Sequence, residues 1–348
     1  MPTILVITDK GCEQACVLEI ARWMKKETTI AEQIVTVDCS LEEGALLAFH
    51  LQTARRVLLQ LTAPYTDSPG EPDPAVLGLI DGTFKAEGHS TGITQELVEQ
   101  VGGWVHKQGK SVDLVNPQFI VYAIKTDKTY VGLDLVGKAL EKREWRIMLS
   151  RRSLRATIAA AALLYADVQG DDVLVDPSGD DGTLAIEAAL LLSKTSPLQF
   201  STGLAYEKLT VPKTVPVREI EKISVFCENL RDVKAVRMNS KLAGVEKLLH
   251  STKVPLDWLH TKVADVDKIV TYPVSSGKAL PLKIVEKRNE TLFEQAAEVL
   301  KKKGTITCIC VKPEEFACAQ KYKFKLLHTH PVWMGKSKLE IMTWEHDV

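Results

Sequence analysis

An acid, a small-residue turn and an apolar helix follow one another in residues 173–189, VLVDPSGDDGTLAIEAA. Val173, Leu174 and Val175 have the composition of a strand buried on both faces, and 184–189 that of a helix. Between them stand Asp176, Pro177, Ser178, Gly179, Asp180, Asp181, Gly182 and Thr183. Where a parallel strand turns tightly into a helix, backbone N–H groups and the helix N-terminus converge, and α/β proteins hold nucleotide-like ligands there. Two glycines in a βα turn also arise from dihedral needs alone, so the chemistry depends on what the rest of the chain brings beside them.

The elements able to position that turn begin near residue 153. Helices at 154–166, 183–192, 231–243 and 290–302 alternate with strands at 172–176, 223–227, 268–271 and 305–311. The stretches 324–330 and 337–344 close the chain as an antiparallel pair. Parallel strands with crossover helices and a terminal hairpin describe an α/β, doubly wound sheet with a reversed edge strand. Upstream, strand 3–8, helix 12–26, strand 33–37, helix 41–55 and strand 56–61 suggest a small α+β sandwich, ended by the proline-rich loop 63–75. A short strand at 83–86, a helix at 91–107 and a hairpin of 119–125 with 129–135 make a further unit.

Composition narrows the function classes. A formal charge of −1 gives no global basic field, so any nucleic-acid contact needs local patches. One such patch is the segment holding Lys138, Lys142, Arg143, Arg146, Arg151 and Arg152, for which phosphate contact and a merely solvated connector are equally compatible with the charge. The longest apolar stretch, 156–166, is too short to span a bilayer, and the first residues lack a signal-peptide pattern. The Cys12/Cys16 and Cys308/Cys310 spacings match no zinc knuckle, and alternation in TCICV puts the latter two on one face of a buried strand. A reducing, cytoplasmic, metal-free setting is the expectation.

Segments spread along the chain resemble one family. LQTARRVLLQL (51–61) is similar to an RTA-x-RVLL strand, VDLVNPQFIV (112–121) to a VDL-x-NP turn, and YVGLDLVGKALEKREWR (130–146) to a VGLDLSG … L-x-KR-x-YR bridge. LVDPSGDDGTLAIEAAL (174–190) resembles LDPMCGSGTILIEAAL, and RMNSKLAGV (237–245) resembles RRNAELAGV. By these motifs the chain resembles the THUMP-domain class I RNA methyltransferases, which methylate the exocyclic amine of guanosine in tRNA or rRNA. The resemblance implies a ferredoxin-like domain at 1–65, a THUMP RNA-binding domain at 75–140, a basic linker at 141–152 and a Rossmann-like catalytic domain at 153–348. It implies S-adenosylmethionine as cofactor and RNA, tRNA first, as partner.

The same resemblance assigns roles. Asp176, Pro177, Ser178, Gly179, Asp180, Gly182 and Thr183 would line the methionine half of the cofactor, with Asp180 standing where the family has glycine. Cys227 falls at the ribose-binding acid, with Glu228 one residue on as the other candidate; Asp257, followed by Trp258, falls at the adenine contact. Tyr272, Pro273, Val274 and Ser275 replace the family's Asn-Pro-Pro-aromatic, which orients the target amine and stacks on the base. Lys85, His89, Lys142, Arg143, Arg146 and Arg152 are the candidate RNA contacts. Two functions follow: a methyltransferase acting on a base amine, guanosine N2 of tRNA foremost, or a catalytically silent homologue that binds RNA or stabilises a partner subunit.

Overall fold

Four consecutive apolar residues in β1 (Thr3–Thr8) are all buried, because its two faces feed different clusters. Ile4 and Val6 pack into one, Leu5 and Ile7 into the other. The computed structural model describes residues 1–90, 94–211 and 215–347, and it divides into two compact units.

The first unit, 1–8, 16–140 and 198–215, holds one eight-stranded sheet. After β1 come α1 (Glu13–Trp23), whose first turn groups with the second unit, β2 (Thr28–Ala31), β3 (Ile34–Asp38) and α2 (Leu41–His50). Then follow β4 (Ala54–Gln60), α3 (Pro74–Leu79), β5 (Thr83–Ser90), α4 (Thr94–Lys107), β6 (Ser111–Val112), β7 (Phe119–Lys125) and β8 (Thr129–Asp134). The strand order is β2-β3-β1-β4-β8-β7-β5-β6. The helix expected over 91–107 is observed from Thr94, and 91–93 lie outside the described residues.

The helix expected to reach residue 55 stops at His50, for a definite reason. A buried Glu19 carboxylate accepts from the Gln52 and Thr53 N–H groups at 2.7 and 2.9 Å and from the Thr53 hydroxyl at 2.6 Å. Those donors are thereby drawn out of the helical ladder. Two family-like motifs meet nearby. Arg56 of β4 donates to Asp134 Oδ2 of β8 at 2.5 Å, and Asp134 Oδ1 accepts from the N–H groups of Val136 and Gly137.

The second unit, 9–15, 141–197 and 216–348, contains a seven-stranded sheet. Its elements are α5 (Ala156–Tyr165), β9 (Leu174–Asp176), α6 (Thr183–Ser193), β10 (Ile223–Cys227), α7 (Leu230–Leu242) and β11 (Leu249–Lys253). They continue with β12 (Val266–Thr271), α8 (Leu282–Val299), β13 (Leu300–Cys310), β14 (Phe324–Met334) and β15 (Ser337–His346). The order β11-β10-β9-β12-β13-β15-β14 is doubly wound, and it reverses direction of growth at β9. The antiparallel member is β15, which slots between β13 and β14, so the reversed strand lies one in from the edge.

Every residue of α5 and α6 is buried. Arg143 of the linker reaches α6, donating to Glu187 from Nε (2.8 Å) and Nη2 (3.0 Å), both side chains fully enclosed. Residues 9–15 belong to this unit through Asp9, which accepts from Arg155 and from the Thr157 hydroxyl at the start of α5, and through Lys10, whose carbonyl accepts from the Trp333 N–H. Cys308 and Cys310 are both buried in β13, as the alternation predicts. Among the described residues no helix is long and apolar enough to cross a membrane.

Candidate active-site cleft

The cleft lies at the carboxyl ends of β9, β10 and β12, where the strand order switches sides. Asp176 ends β9 and is buried; its Oδ1 accepts from the Ser178 N–H at 3.0 Å and from the Thr271 hydroxyl at 3.1 Å. Gly179 and Gly182 both have positive φ, +26° and +82°. A Cβ on Gly179 would sit 2.5 Å from Cys227 Sγ and 2.8 Å from the Phe226 carbonyl oxygen, so only glycine lets β10 rise against the turn.

Asp181 is structural. Its Oδ1 accepts from the Thr183 N–H and hydroxyl, ending the backbone neatly at the start of α6, while Oδ2 accepts from the Ser153 hydroxyl at 2.5 Å. Asn239 of α7 completes the anchorage. Its Nδ2 donates to the carbonyls of Asp181 (2.8 Å) and Met148 (2.9 Å), and its Oδ1 accepts from the Met148 N–H (3.0 Å). Linker and turn are thus clamped by one buried amide.

Asp180 adopts φ +47°, a left-handed conformation costing a non-glycine residue about 1 kcal/mol. Its Oδ2 lies 2.8 Å from Arg152 Nη2, an ion-pair contact without a well-aligned hydrogen bond. Burial pushes its carboxyl up to about 6, with Arg152 opposing. Arg152 also donates from Nη1 to the Tyr272 carbonyl at 3.1 Å and lies over the Tyr272 ring, 5.6 Å from its centroid.

Three spaces surround this pair. A cavity of about 310 Å³ is lined by Pro177, Ser178, Glu228, Leu256, Val274 and Arg288, among others. A pinch of about 20 Å³ sits among Asp176, Gly179, Asp180, Thr183 and Tyr272, room for about one water. A third space of about 400 Å³ lies between 147–152 and the start of α7. Arg152, Asp180 and Asp232 line both large spaces and so form the wall between them.

The structure gathers some expected site residues and disperses others. Asp176, Pro177, Ser178, Gly179, Asp180, Thr183, Tyr272, Pro273 and Val274 converge on the cleft, whereas Gly182 lies against Val236 of α7; Ser275 follows, half-buried. Cys227 packs its thiol against the Gly179 turn, its pKa driven up by burial, and it is not an acid facing ligand. Glu228 does line the cavity, ion-paired with Arg288 of α8. Asp257 and Trp258 are exposed on the turn Leu256–Thr261, and it is Leu256 that faces the cavity.

Three expected phosphate contacts have partners within the second unit. Arg143 is sealed against Glu187, Arg146 donates to Ser153 beside Asp181, and Arg152 points into the cleft. Their charges are committed inside the second unit. Lys142 is exposed. Lys85 is half-buried in β5 at 3.4 Å from Glu87, with His89 half-buried further along that strand, both in the first unit. Sequence reasoning missed Arg288 and the clamping role of Asn239, although RMNSKLAGV had drawn attention to the latter.

A pH effect follows from Asp176, whose pKa is raised to about 7 by burial against the opposing hydrogen bonds of Ser178 and Thr271. An acid with a raised folded pKa contributes stability that is full below its unfolded value and lost as pH rises through the folded one. Asp176→Asn should flatten the fall in Tm between about pH 4 and 7, worth on the order of 1–3 kcal/mol, and raise Tm above that window. A melting series showing the same slope in both proteins would remove Asp176 as the cause.

Comparison with known proteins fits this geometry. The family described as UPF0020, RMKL-like, methyltransferase domain, matches residues 143–337, more than half of the chain. A tRNA (guanine(6)-N2)-methyltransferase of Methanocaldococcus jannaschii is 26% identical over 238 residues, 64% of this chain and 62% of that protein. A ribosomal RNA large subunit methyltransferase K/L of Aliivibrio fischeri strain MJ11 is 29% identical over 156 residues, 40% of this chain and 22% of the relative. The chain therefore spans less than two thirds of either relative's length. Among solved structures, TrmN from Thermus thermophilus superposes with a TM-score of 0.75 at 19% identity, covering 99% of this chain and all of that one. SMU.472 complexed with SAH superposes at 0.76 and 18% identity, covering 100% and 98%. At such identities the likeness is one of fold.

Proposed function

The chain belongs to the UPF0020 family of RMKL-like methyltransferase domains and has the Rossmann-like fold of class I methyltransferases, and on that premise we propose that it is an S-adenosylmethionine-dependent RNA methyltransferase. Its target is a base exocyclic amine, guanosine N2 of tRNA foremost. The observation that carries the reading is the cavity of about 310 Å³ at the switch point of the doubly wound sheet, a volume at the lower end of ordinary small-molecule sites. The tRNA-modifying relative supports the substrate class. The motif resemblance supports a ferredoxin-like domain at 1–65, a THUMP RNA-docking domain at 75–140, a linker at 141–152 and a catalytic domain at 153–348.

The lining fits the cofactor by charge as well as by volume. Asp180 Oδ2 is a buried acceptor with no aligned hydrogen bond, and Arg152 brings a guanidinium beside it. When bound, S-adenosylmethionine supplies an electrophilic methyl on a sulfonium. Pro177, Ser178, Leu256 and Val274 would hold its nucleoside, with Glu228 as the acceptor for ribose hydroxyls. Leu256 gives the base an apolar wall in place of the expected Asp257.

Orientation of the target amine is the weaker half of the site. Tyr272 brings no amide side chain, and its carbonyl already accepts from Arg152. Losing one oriented acceptor costs about 100-fold or more in rate, so slow turnover is expected. Incubation with labelled S-adenosylmethionine and unmodified tRNA should label the tRNA, and nuclease digestion should release N2-methylguanosine. Binding of cofactor and tRNA with no label under saturating conditions would overturn the enzymatic reading and leave the scaffold role, RNA binding or support of a partner subunit.

A further inference from the structure

The loop that follows β12 cannot hold itself in place. Among the described residues, none of 273–276 makes a backbone–backbone hydrogen bond, and Pro273 has no N–H to offer. Yet Pro273 and Val274 line the cavity, so their placement sets its shape. Side chains supply the missing anchors. Arg152 holds the Tyr272 carbonyl at the near end. At the far end, every polar group of Ser276 is taken by two residues beyond β13. The Ser276 N–H donates to Glu315 Oε1 at 3.0 Å, and Lys312 Nζ donates to the Ser276 carbonyl at 3.1 Å and to its hydroxyl oxygen at 2.7 Å. Glu315 is itself fixed from α8, where the buried Asn289 donates from Nδ2 to the Glu315 carbonyl at 2.8 Å. The base of this clamp is rigid, because the adjoining Phe316 packs its ring against Phe293 and Trp344 in the core.

We propose that Lys312 and Glu315 are positioning residues of the transfer reaction: by clamping Ser276 they fix the wall of the cleft against which the acceptor base is oriented. This rests on the methyl-transfer reading of the cleft given above. The cost of the arrangement points to a use. Glu315 is buried, its Oε1 lies 3.9 Å from Lys312 Nζ, and its Oε2 is out of water without a hydrogen-bond partner. A buried carboxylate so thinly compensated stabilises a fold less than a well-packed apolar residue of similar size. Unpaired buried acceptors are uncommon enough to need a reason, and a loop without backbone anchors supplies one. The clamp also bears on what Tyr272 lacks. With no side-chain amide to catch the target amine, alignment depends on stiff walls, and a displacement of about 1 Å can cost about 100-fold in rate.

The test measures three quantities on the full chain: single-turnover methyl transfer to tRNA, affinity for S-adenosylhomocysteine, and hydrogen exchange over 272–280. Glu315→Ala should lower the transfer rate about 100-fold, and Lys312→Met, at a half-buried position outside the core, about tenfold, while ligand affinity stays within about threefold. Glu315→Gln keeps an oxygen for the Ser276 N–H and should recover most of the rate, which a need for the negative charge would forbid. Exchange over 272–280 should quicken in the alanine and methionine variants. A folded Lys312→Met protein that transfers at the parent's rate, or whose 272–280 exchange is unchanged, overturns the proposal and leaves the methyltransferase reading standing. A loss of rate matched by an equal loss of ligand affinity also overturns it, being the mark of a merely structural role. A parent protein that transfers no methyl removes the reaction reading and the positioning role with it.

Discussion

Glu187→Ala is expected to cost about 3–5 kcal/mol of stability, read as a large drop in the urea midpoint with an unchanged slope. The carboxylate is fully buried in α6 and accepts from Nε and Nη2 of the equally buried Arg143. Truncating it removes a carboxylate from beside a buried guanidinium, and a buried charge that loses its counter-charge is what makes the loss large. Replacing both partners, Arg143→Met with Glu187→Leu, should restore most of the stability, because the cost lies in the orphaned charge rather than in the missing pair. A single alanine variant within about 1 kcal/mol of the parent would show that water reaches Arg143 and that the pair is not sealed.

The second large effect is expected at Asn239. Asn239→Ala removes three hydrogen bonds at once, two to Met148 and one to the Asp181 carbonyl. Partners left inside without replacements cost about 1–3 kcal/mol each, tempered by any water that enters, so a net loss of about 2–4 kcal/mol is expected. The functional consequence is distinct from the thermal one. The clamp holds the linker beside the turn, so releasing it frees Arg152 from Asp180, and affinity for S-adenosylhomocysteine should fall about tenfold even well below the melting temperature. Unaltered affinity in a folded, destabilised variant would confine Asn239 to a stabilising role.

How far the amino-acid order foretold this arrangement depends on where each strand sits. The parallel core was legible because β9, β10, β12 and β13 each carry their own run of buried apolar residues. The strands β2 and β11 were not, since TTIA and LHSTK lie at the edges of their sheets, where polar residues are tolerated. The helix α8 begins eight residues before its expected start because KIVEKRNE is rich in charge and shows only a narrow apolar stripe. Within the cleft, the contiguous turn from Asp176 to Thr183 could be read directly. Arg152 could not: in a run of basic residues it reads as surface charge, and one of its partners is 120 residues further along the chain. Cys227 failed for another reason, because alignment fixes a position and not the direction in which its side chain packs.

The short segment 9–15 has a consequence for how this protein comes off the ribosome. Asp9 is made well ahead of Arg155, one of the groups it serves, which emerges 146 residues later. The second unit is therefore incomplete until its start and its middle have been reunited, whatever the first unit has done in the meantime. Cutting the chain at the linker to obtain a free-standing downstream half would discard Asp9 and leave the opening turn of α5 with a guanidinium and a hydroxyl deprived of their shared acceptor. Only a fragment that carries residues 9–15 along, by fusion or by reconnecting the old ends, should reproduce the intact half.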